Sequence, residues 1–141
     1  MLLQLDPRSC QLTINGGTNG AKGGLLSLAN STNAAQSTLT ANGGTTGGAG
    51  GVILFKDDSL GGTARVQVYE NGELDISGHS LPGLTIGFLR GSGLVLLGAN
   101  SLNVDSNLGS VFSGVIQDGG ASGGTGGARE KRPGPVDSQW R

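Results

Sequence analysis

Two segments of the chain are copies of each other at a fixed spacing, the interval that separates Leu12 from Leu39. The first copy begins at Leu12 and reads LTINGGTNGAKGGLLSL, and the second begins at Leu39 and reads LTANGGTTGGAGGVILF. The copies share Leu-Thr, Asn-Gly-Gly-Thr and the Gly-Gly pair that precedes an apolar run. Such a period indicates a stack of similar structural units, because one unit cannot bury its apolar face alone.

Each copy contains two short apolar runs that are separated by a glycine-rich corner. The runs of the first copy are Leu12–Ile14 and Leu25–Leu28, and those of the second are Leu39–Ala41 and Val52–Phe55. No run is long enough for a helix. Glycine occupies 29 of the 141 positions, and each glycine inside a helix costs about 1 kcal/mol relative to alanine. The clustering of apolar residues also argues against disorder. One copy is therefore predicted to form two strands around a tight corner.

The repeat becomes irregular after the second copy, but short apolar runs continue. The stretch from Leu84 to Gly120 contains LVLL, LNV, VF and VI. The first three are followed directly by Gly, Asp and Ser, and VI is followed by Gln-Asp-Gly-Gly. Earlier in the chain, Asn71-Gly72 is a turn signal between two alternating runs, and a hairpin there would suit a β-sandwich. An all-β protein is predicted in either case.

The constant interval between the copies favours a right-handed parallel β-helix, a solenoid in which equivalent strands of successive coils pair in parallel. The residues expected to face inward and to stack are Leu12, Leu39, Leu25 and Val52. Corner residues are expected to form ladders, Asn15 with Asn42 and Thr18 with Thr45, and the same alignment places Asn30 over Asp57. The β-sandwich is the alternative architecture.

The composition of the chain changes abruptly near residue 120. Residues 1–120 are predicted to be the β-helix repeat region. Residues 121–141 begin with ASGGTGG, continue with AREKRPGP and have no apolar periodicity, so they are predicted to be a disordered tail. We hypothesise that this change reflects the end of a truncated or frame-shifted gene.

Three segments, LTANGG, GSGLVLLGANSLNV and FSGVIQDGG, resemble the strand repeats of autotransporter passenger regions. The resemblance extends over roughly residues 12–127 and implies a bacterial protein that is secreted or displayed on the cell surface beyond the outer membrane. It also implies an extended stalk or adhesin scaffold without catalytic activity, whose partner is the remainder of a larger β-helix protein. The chain departs from the family pattern, since it shows neither a signal peptide nor a C-terminal membrane barrel.

The sequence indicates no cofactor and no metal ion. Cys10 is the only cysteine, so an intrachain disulfide and a cysteine-based metal site are not expected. The glycine-rich corner around Lys22 lacks the Gly-Lys-Ser/Thr ending of a phosphate-binding loop. A net charge of −1 gives no electrostatic reason to bind nucleic acid. No segment approaches the roughly 20 apolar residues that direct membrane insertion requires.

Two groups of residues could nevertheless carry chemistry. Asp75, Ser77 and His79 are spaced two apart, which does not suit the geometry of a catalytic triad, so His79 is interpreted as an exposed loop residue. Surface carboxylates could bind or cleave a polysaccharide, as paired acids do in glycosidases. The residues of this alternative function are Asp57, Asp58, Glu73 and Asp75. The favoured interpretation is that these acids face water, and no catalytic residue is assigned.

Two further hypotheses concern the surfaces of the stack. The open ends of a β-helix expose unpaired strand edges, so self-association through these edges is expected. Repeated threonines at Thr13 and Thr40 suggest the hypothesis of an ice-binding ladder. That function would need a flat array of threonines along several coils, and only this pair repeats.

Overall fold

The computed structural model describes residues 10–105, 110–125 and 127–130, and these residues form thirteen β-strands and no helix. The strands are β1 Gln11–Ile14, β2 Leu25–Leu28, β3 Thr38–Ala41, β4 Val52–Phe55, β5 Arg65–Val68, β6 Glu73–Asp75, β7 Gly83–Ile86, β8 Phe88–Gly91, β9 Leu94–Leu96, β10 Ser101–Val104, β11 Val111–Phe112, β12 Val115–Gln117 and β13 Gly127–Glu130.

The strands form three parallel sheets that run side by side along the stack. The first sheet has the order β1-β3-β5-β8-β11, the second β2-β4-β6-β9-β12, and the third β7-β10-β13. The chain visits the sheets in turn, and each strand of the first sheet begins a new coil, numbered 1 to 5 here. The fold is therefore a β-solenoid, as the internal repeat predicts.

The register of the first two coils confirms the predicted stacking. Leu12 pairs with Leu39, and in the second sheet Leu25 pairs with Val52. The alternative of a β-sandwich is wrong, because every strand pair among the described residues is parallel and no hairpin forms at Asn71-Gly72. Instead Glu70 adopts a φ of 57° and the N–H of Gly72 donates to the carbonyl of Tyr69 over 2.8 Å. This corner turns the chain from the first sheet into the second.

The coils become shorter because the glycine-rich corner is lost after coil 2. Ten residues join β1 to β2, 15–24, and ten join β3 to β4, 42–51, whereas four join β5 to β6. The two long corners stack closely, with the N–H of Gly17 donating to the carbonyl of Ala49 over 2.8 Å. At Gly50 a β-carbon would lie 1.9 Å from the carbonyl oxygen of Asn71. Only glycine fits that position.

The core fills the inside of the stack with side chains from all three sheets. The buried apolar residues that form it are Ile14, Leu28, Ala34, Leu39, Ala41, Ile53, Phe55, Ala64, Val66, Val68, Leu74, Ile76, Leu84, Ile86, Leu89, Val95, Leu97, Leu102, Val104, Phe112 and Ile116. Positions that pair between coils bury their side chains on one another, so each coil completes the core of its neighbours.

The predicted inward orientation of Leu25 and Val52 is wrong. Leu25 is exposed and Val52 half-buried, and the inward residues of β4 are Ile53 and Phe55. The position before Leu25 is the one that faces the core, because a β-carbon on Gly24 would lie 3.2 Å from Cγ2 of the core residue Ile14. Alternation then directs the residue after the glycine outward.

The corner ladders form between coils 1 and 2 as predicted. The side-chain N–H of Asn42 donates to Oδ1 of Asn15 over 3.0 Å, and Thr18 and Thr45 form a parallel bridge. Asn71 in coil 3 also bonds to coil 2, where its Oδ1 accepts the backbone N–H of Gly44 over 2.7 Å. Polar side chains of coils 2 and 3 thus bond to the preceding coil.

The stack continues past residue 120, beyond the predicted boundary of the repeat region. β13 lies inside the segment 121–141 that was expected to be disordered, and it pairs in parallel with β10, Ser101 opposite Gly127. Residues 1–9 of the predicted repeat region and 131–141 of the predicted tail lie outside the described residues.

Candidate functional site

The carboxylates of β6 lie on the outer face of the second sheet. Asp75 pairs with Leu54 of β4 and Leu96 of β9, both of which face outward. Yet Asp75 is only 3% exposed, so the expectation that this charge faces water is wrong. The segment after β12 folds back over it.

A lock of hydrogen bonds holds that segment on Asp75, and we call it the Asp75 lock (Asp75, Ser77, 120–122). Oδ1 of Asp75 accepts the N–H of Ser77 over 2.8 Å and its hydroxyl over 2.6 Å. Oδ2 accepts the N–H of Ala121 over 3.0 Å. The N–H of Ser122 donates to the Ser77 hydroxyl oxygen over 2.9 Å. A carboxylate with three donors is well compensated for its burial.

The glycines of QDGG allow this close approach. Gly120 has a φ of 113°, and a β-carbon there would lie 2.7 Å from Oδ1 of Asp75. The sequence contained a signal for this contact, since a double glycine after a strand tolerates left-handed backbone. It did not name the partner, which lies in coil 3, 46 residues earlier for the bond to Ala121.

Glu73 lies beside a shallow cavity of about 450 Å³ on the same outer face. The cavity is lined by Ala49, Gly50, Glu70, Asn71, Glu73, Ser92, Gly93, Leu94 and Val115. The floor of the cavity consists of outward-facing residues that pair from coil to coil. Glu73 pairs with Leu94, and Leu94 pairs with Val115. Burial raises the pKa of the Glu73 carboxyl, and the nearby Asp75 raises it further.

Replacing Glu73 with glutamine is expected to stabilise the protein at neutral pH. The raised pKa means that the folded state binds the Glu73 proton more tightly than the unfolded state. The contribution of the Glu73 carboxyl to stability is therefore fully present below the pKa of the unfolded state, near 4.5. It is lost as the pH rises through the higher pKa of the folded state. Urea midpoints at pH 7 and at about pH 4 should show the gain of Glu73→Gln only at pH 7. Glu70→Gln, at an exposed position, is the control, and an equal gain at both pH values would contradict this account.

The other predicted carboxylates lie elsewhere. Asp57 follows β4, where its Oδ2 accepts the N–H of Asn30 over 3.0 Å, and both residues have left-handed φ angles, 55° and 56°. The predicted stacking of Asn30 and Asp57 is thus confirmed. Asp58 is exposed beside it. Neither aspartate lines the cavity next to Glu73.

His79 does not join Ser77 and Asp75 in a triad. Its Nε2 lies 2.6 Å from the carbonyl oxygen of Ser59 and its Nδ1 lies 2.8 Å from that of Ser80. The Ser77 hydroxyl is directed to Asp75 instead. His79 ties the corner of coil 3 to coil 2, and is half-buried rather than exposed as predicted.

Two buried polar atoms at this corner were not anticipated from the sequence. Among the described residues, Oγ of Ser59 and Oδ1 of Asn100 are buried without a protein partner. The Asn100 amide nevertheless donates to the carbonyls of Ile76 over 2.9 Å and His79 over 3.0 Å. Asn100 therefore connects coil 4 to coil 3 at the same corner of the stack at which His79 connects coil 3 to coil 2.

The threonine ladder ends after two coils. Thr13 pairs with Thr40, but Thr40 pairs with Gln67 and Gln67 with Arg90. The outer face of the first sheet therefore lacks the flat threonine array of the ice-binding hypothesis.

Comparisons with known proteins found no relative from which the chemistry of these residues could be inferred. No family model, curated protein or solved structure matches the chain. Within the described ranges, no three His, Cys, Asp or Glu side chains are grouped so that they could hold a metal ion. The same part of the chain has no helix with the length and apolar character of a membrane span.

Proposed function

We propose that the chain is a structural segment of a cell-surface or secreted autotransporter-like protein, an extended stalk or adhesin scaffold without catalytic activity of its own. The observation that supports this proposal is the continuous parallel stacking, in which five successive strands of the first sheet pair in sequence. A stack of this kind extends by adding coils, so its natural partner is the remainder of a larger β-helix.

The stack would act by resisting local opening. The polar side chains of the Asp75 lock and of the asparagine ladder bond across coils. A protease must open several coils before it reaches an extended strand, because each coil is covered by its neighbours. This property suits a scaffold outside the cell.

The proposal is tested on the organism that carries the gene. Antibodies raised against the purified chain should label intact cells or the culture medium, and protease added to intact cells should remove the label. DNA on both sides of the reading frame should encode further coils and a membrane barrel. Label that appears only after lysis, together with flanking DNA that encodes no such coils, would contradict the surface assignment.

The second candidate function is carbohydrate binding at the Glu73 cavity. The observation that favours it is a carboxyl with a raised pKa above the apolar floor of Leu94 and Val115. Asp57 and Asp75 contribute less to it, since their carboxylates bond to backbone groups.

A glycan array tests this second candidate directly. If the cavity binds sugar, Glu73→Gln should reduce the signal at least tenfold, whereas Asp58→Asn, on another corner, should retain it. A reducing-sugar assay on the same variants distinguishes cleavage from binding. Signal that is absent, or equal in both variants, would exclude the Glu73 cavity as the binding site.

A further inference from the structure

The outer face of the first sheet carries a group of hydrogen-bond donors in coils 3 and 4. Arg65 and Gln67 are the outward residues of β5, because Val66 and Val68 point into the core. Gln67 pairs with Arg90 of β8, and both arginines are exposed. We call this group the arginine patch (Arg65, Gln67, Arg90). It lies on a different sheet from the cavity beside Glu73.

The residues that pair with the arginine patch on either side are neutral. They are Thr38, Thr40, Phe88 and Val111. The acidic residue closest to Arg65 in the sequence is Glu70, which lies at the following corner and lines the cavity on the second sheet. The patch therefore presents positive charge and donor groups on this face.

An aromatic ring holds the guanidinium of Arg65 in place. Its Cζ lies over the Phe88 ring, 5.5 Å from the ring centroid, and Phe88 is only 9% exposed. A cation–π contact of this kind leaves the fork of guanidinium donors available to a ligand. The donors of Arg65 are thus positioned before a ligand binds.

The side-chain amide of Gln67 is oriented by Tyr69. The Tyr69 hydroxyl donates to Oε1 of Gln67 over 3.1 Å. This bond engages the acceptor of the amide and directs its two Nε2–H donors away from Tyr69. Donors that are already fixed lower the ordering cost of binding.

The two arginines are diagonal neighbours on the sheet. Arg65 pairs with Phe88, which lies two residues before Arg90 on β8. One strand spacing across the sheet and two residues along it separate the Cα atoms of Arg65 and Arg90 by about 8 Å. Gln67 is adjacent to both arginines, so an extended ligand that contacts both guanidiniums passes beside its amide.

We propose that the arginine patch binds an acidic polysaccharide whose charges are carboxylates on its sugars. A planar carboxylate accepts two parallel N–H bonds from a guanidinium. The Gln67 amide supplies donors for the hydroxyl oxygens of the sugars between the carboxylates. This binding goes beyond a structural role and does not depend on where the organism places the protein.

The charge of the patch argues against nucleic acid and membranes as its partner. Nucleic-acid binding depends on counterion release from several phosphates, and two arginines in a chain of net charge −1 neutralise few of them. Bases also need exposed aromatic side chains on which to stack, and Phe88 is buried. Anionic lipid surfaces attract clusters of roughly four to eight basic residues. A polymer with widely spaced carboxylates matches two cations better.

Calorimetry on the purified full chain tests the proposal with hyaluronate oligosaccharides, in which every second sugar carries a carboxylate. We expect binding to hyaluronate and none to dextran, a neutral polymer. The double variant Arg65→Gln/Arg90→Gln should weaken hyaluronate binding at least tenfold. The matched control Lys22→Gln/Lys56→Gln removes the same charge from two exposed positions outside the patch, and should bind like the unmodified protein.

Two single variants keep the test independent of any loss of folding in the double variant. Arg90→Gln, at an exposed position, should weaken binding at least threefold with an unchanged urea midpoint. Arg65→Lys keeps the positive charge but lacks the planar fork, so it should also weaken binding at least threefold. Full affinity in either variant would overturn the proposal.

The remaining outcomes also decide the question. Absence of hyaluronate binding, equal binding to dextran, or an equal loss in the lysine control would each overturn the proposal. Tighter binding to single-stranded DNA or to phosphatidylserine vesicles than to hyaluronate would overturn it as well, because the partner would then be of another class. None of these results bears on the surface location of the protein, so the two proposals fail separately.

Discussion

Replacing Phe55 with alanine is expected to reduce the free energy of unfolding by about 3–5 kcal/mol. Phe55 is fully buried and pairs with Leu28 of the neighbouring coil. The smaller side chain would leave a cavity that the stacked backbones on either side cannot close, because their hydrogen-bonded spacing is fixed. This is a large share of the roughly 5–15 kcal/mol that stabilises an ordinary domain.

Urea denaturation monitored by circular dichroism measures this effect. Leu25→Ala is the matched control, because Leu25 pairs with the other end of β4 but is 65% exposed. The control is expected to change stability by no more than about 0.5 kcal/mol. Similar losses of stability in both variants would contradict the assignment of Phe55 to the inner face and Leu25 to the outer face of the second sheet.

Replacing Asp75 with alanine is expected to cost about 2–4 kcal/mol and to release the segment after β12. The change would leave the N–H and hydroxyl of Ser77 and the N–H of Ala121 without their acceptor. Buried donors that lose their partner incur the full desolvation penalty. Asp75→Asn should recover little stability, since three donors converge on this side chain and an amide adds two more.

Limited proteolysis with a broad-specificity protease detects the release of the segment. Cleavage of Asp75→Ala should occur first within residues 118–125, at a rate at least tenfold above that of the unmodified protein. Asp58→Ala, which removes an exposed carboxylate, should be cleaved like the unmodified protein. If both variants were cleaved alike and had equal urea midpoints, the Asp75 lock would have no stabilising role.

The sequence predicted the coils where identical residues recur at a fixed interval. The pairs Leu12 with Leu39 and Asn15 with Asn42 could be aligned by eye and are adjacent in the fold. The prediction was less accurate where coils shorten, since the interval from Val52 to its partner Glu73 is shorter than that from Leu25 to Val52. A corner that loses residues leaves the strand register intact but removes the sequence similarity on which the alignment depends.

The candidate site was only partly foreseen. Glu73 and Asp75 were identified as neighbouring carboxylates, but both were expected to face water. Burial of Asp75 depends on residues 120–122, which are far away in the chain. A local pattern cannot show which surface residue a later glycine-rich segment will cover.

The sequence by itself determined that the chain stacks in parallel, because glycine-rich corners and a repeated spacing exclude helices and favour coils. The tertiary structure alone decided which alternate residues point inward, where β13 adds to the third sheet, and which carboxylate is buried. The physical reason is that orientation and burial are properties of contacts between coils. Those contacts depend on the geometry of the corners in every coil, and no single segment of the sequence specifies that geometry.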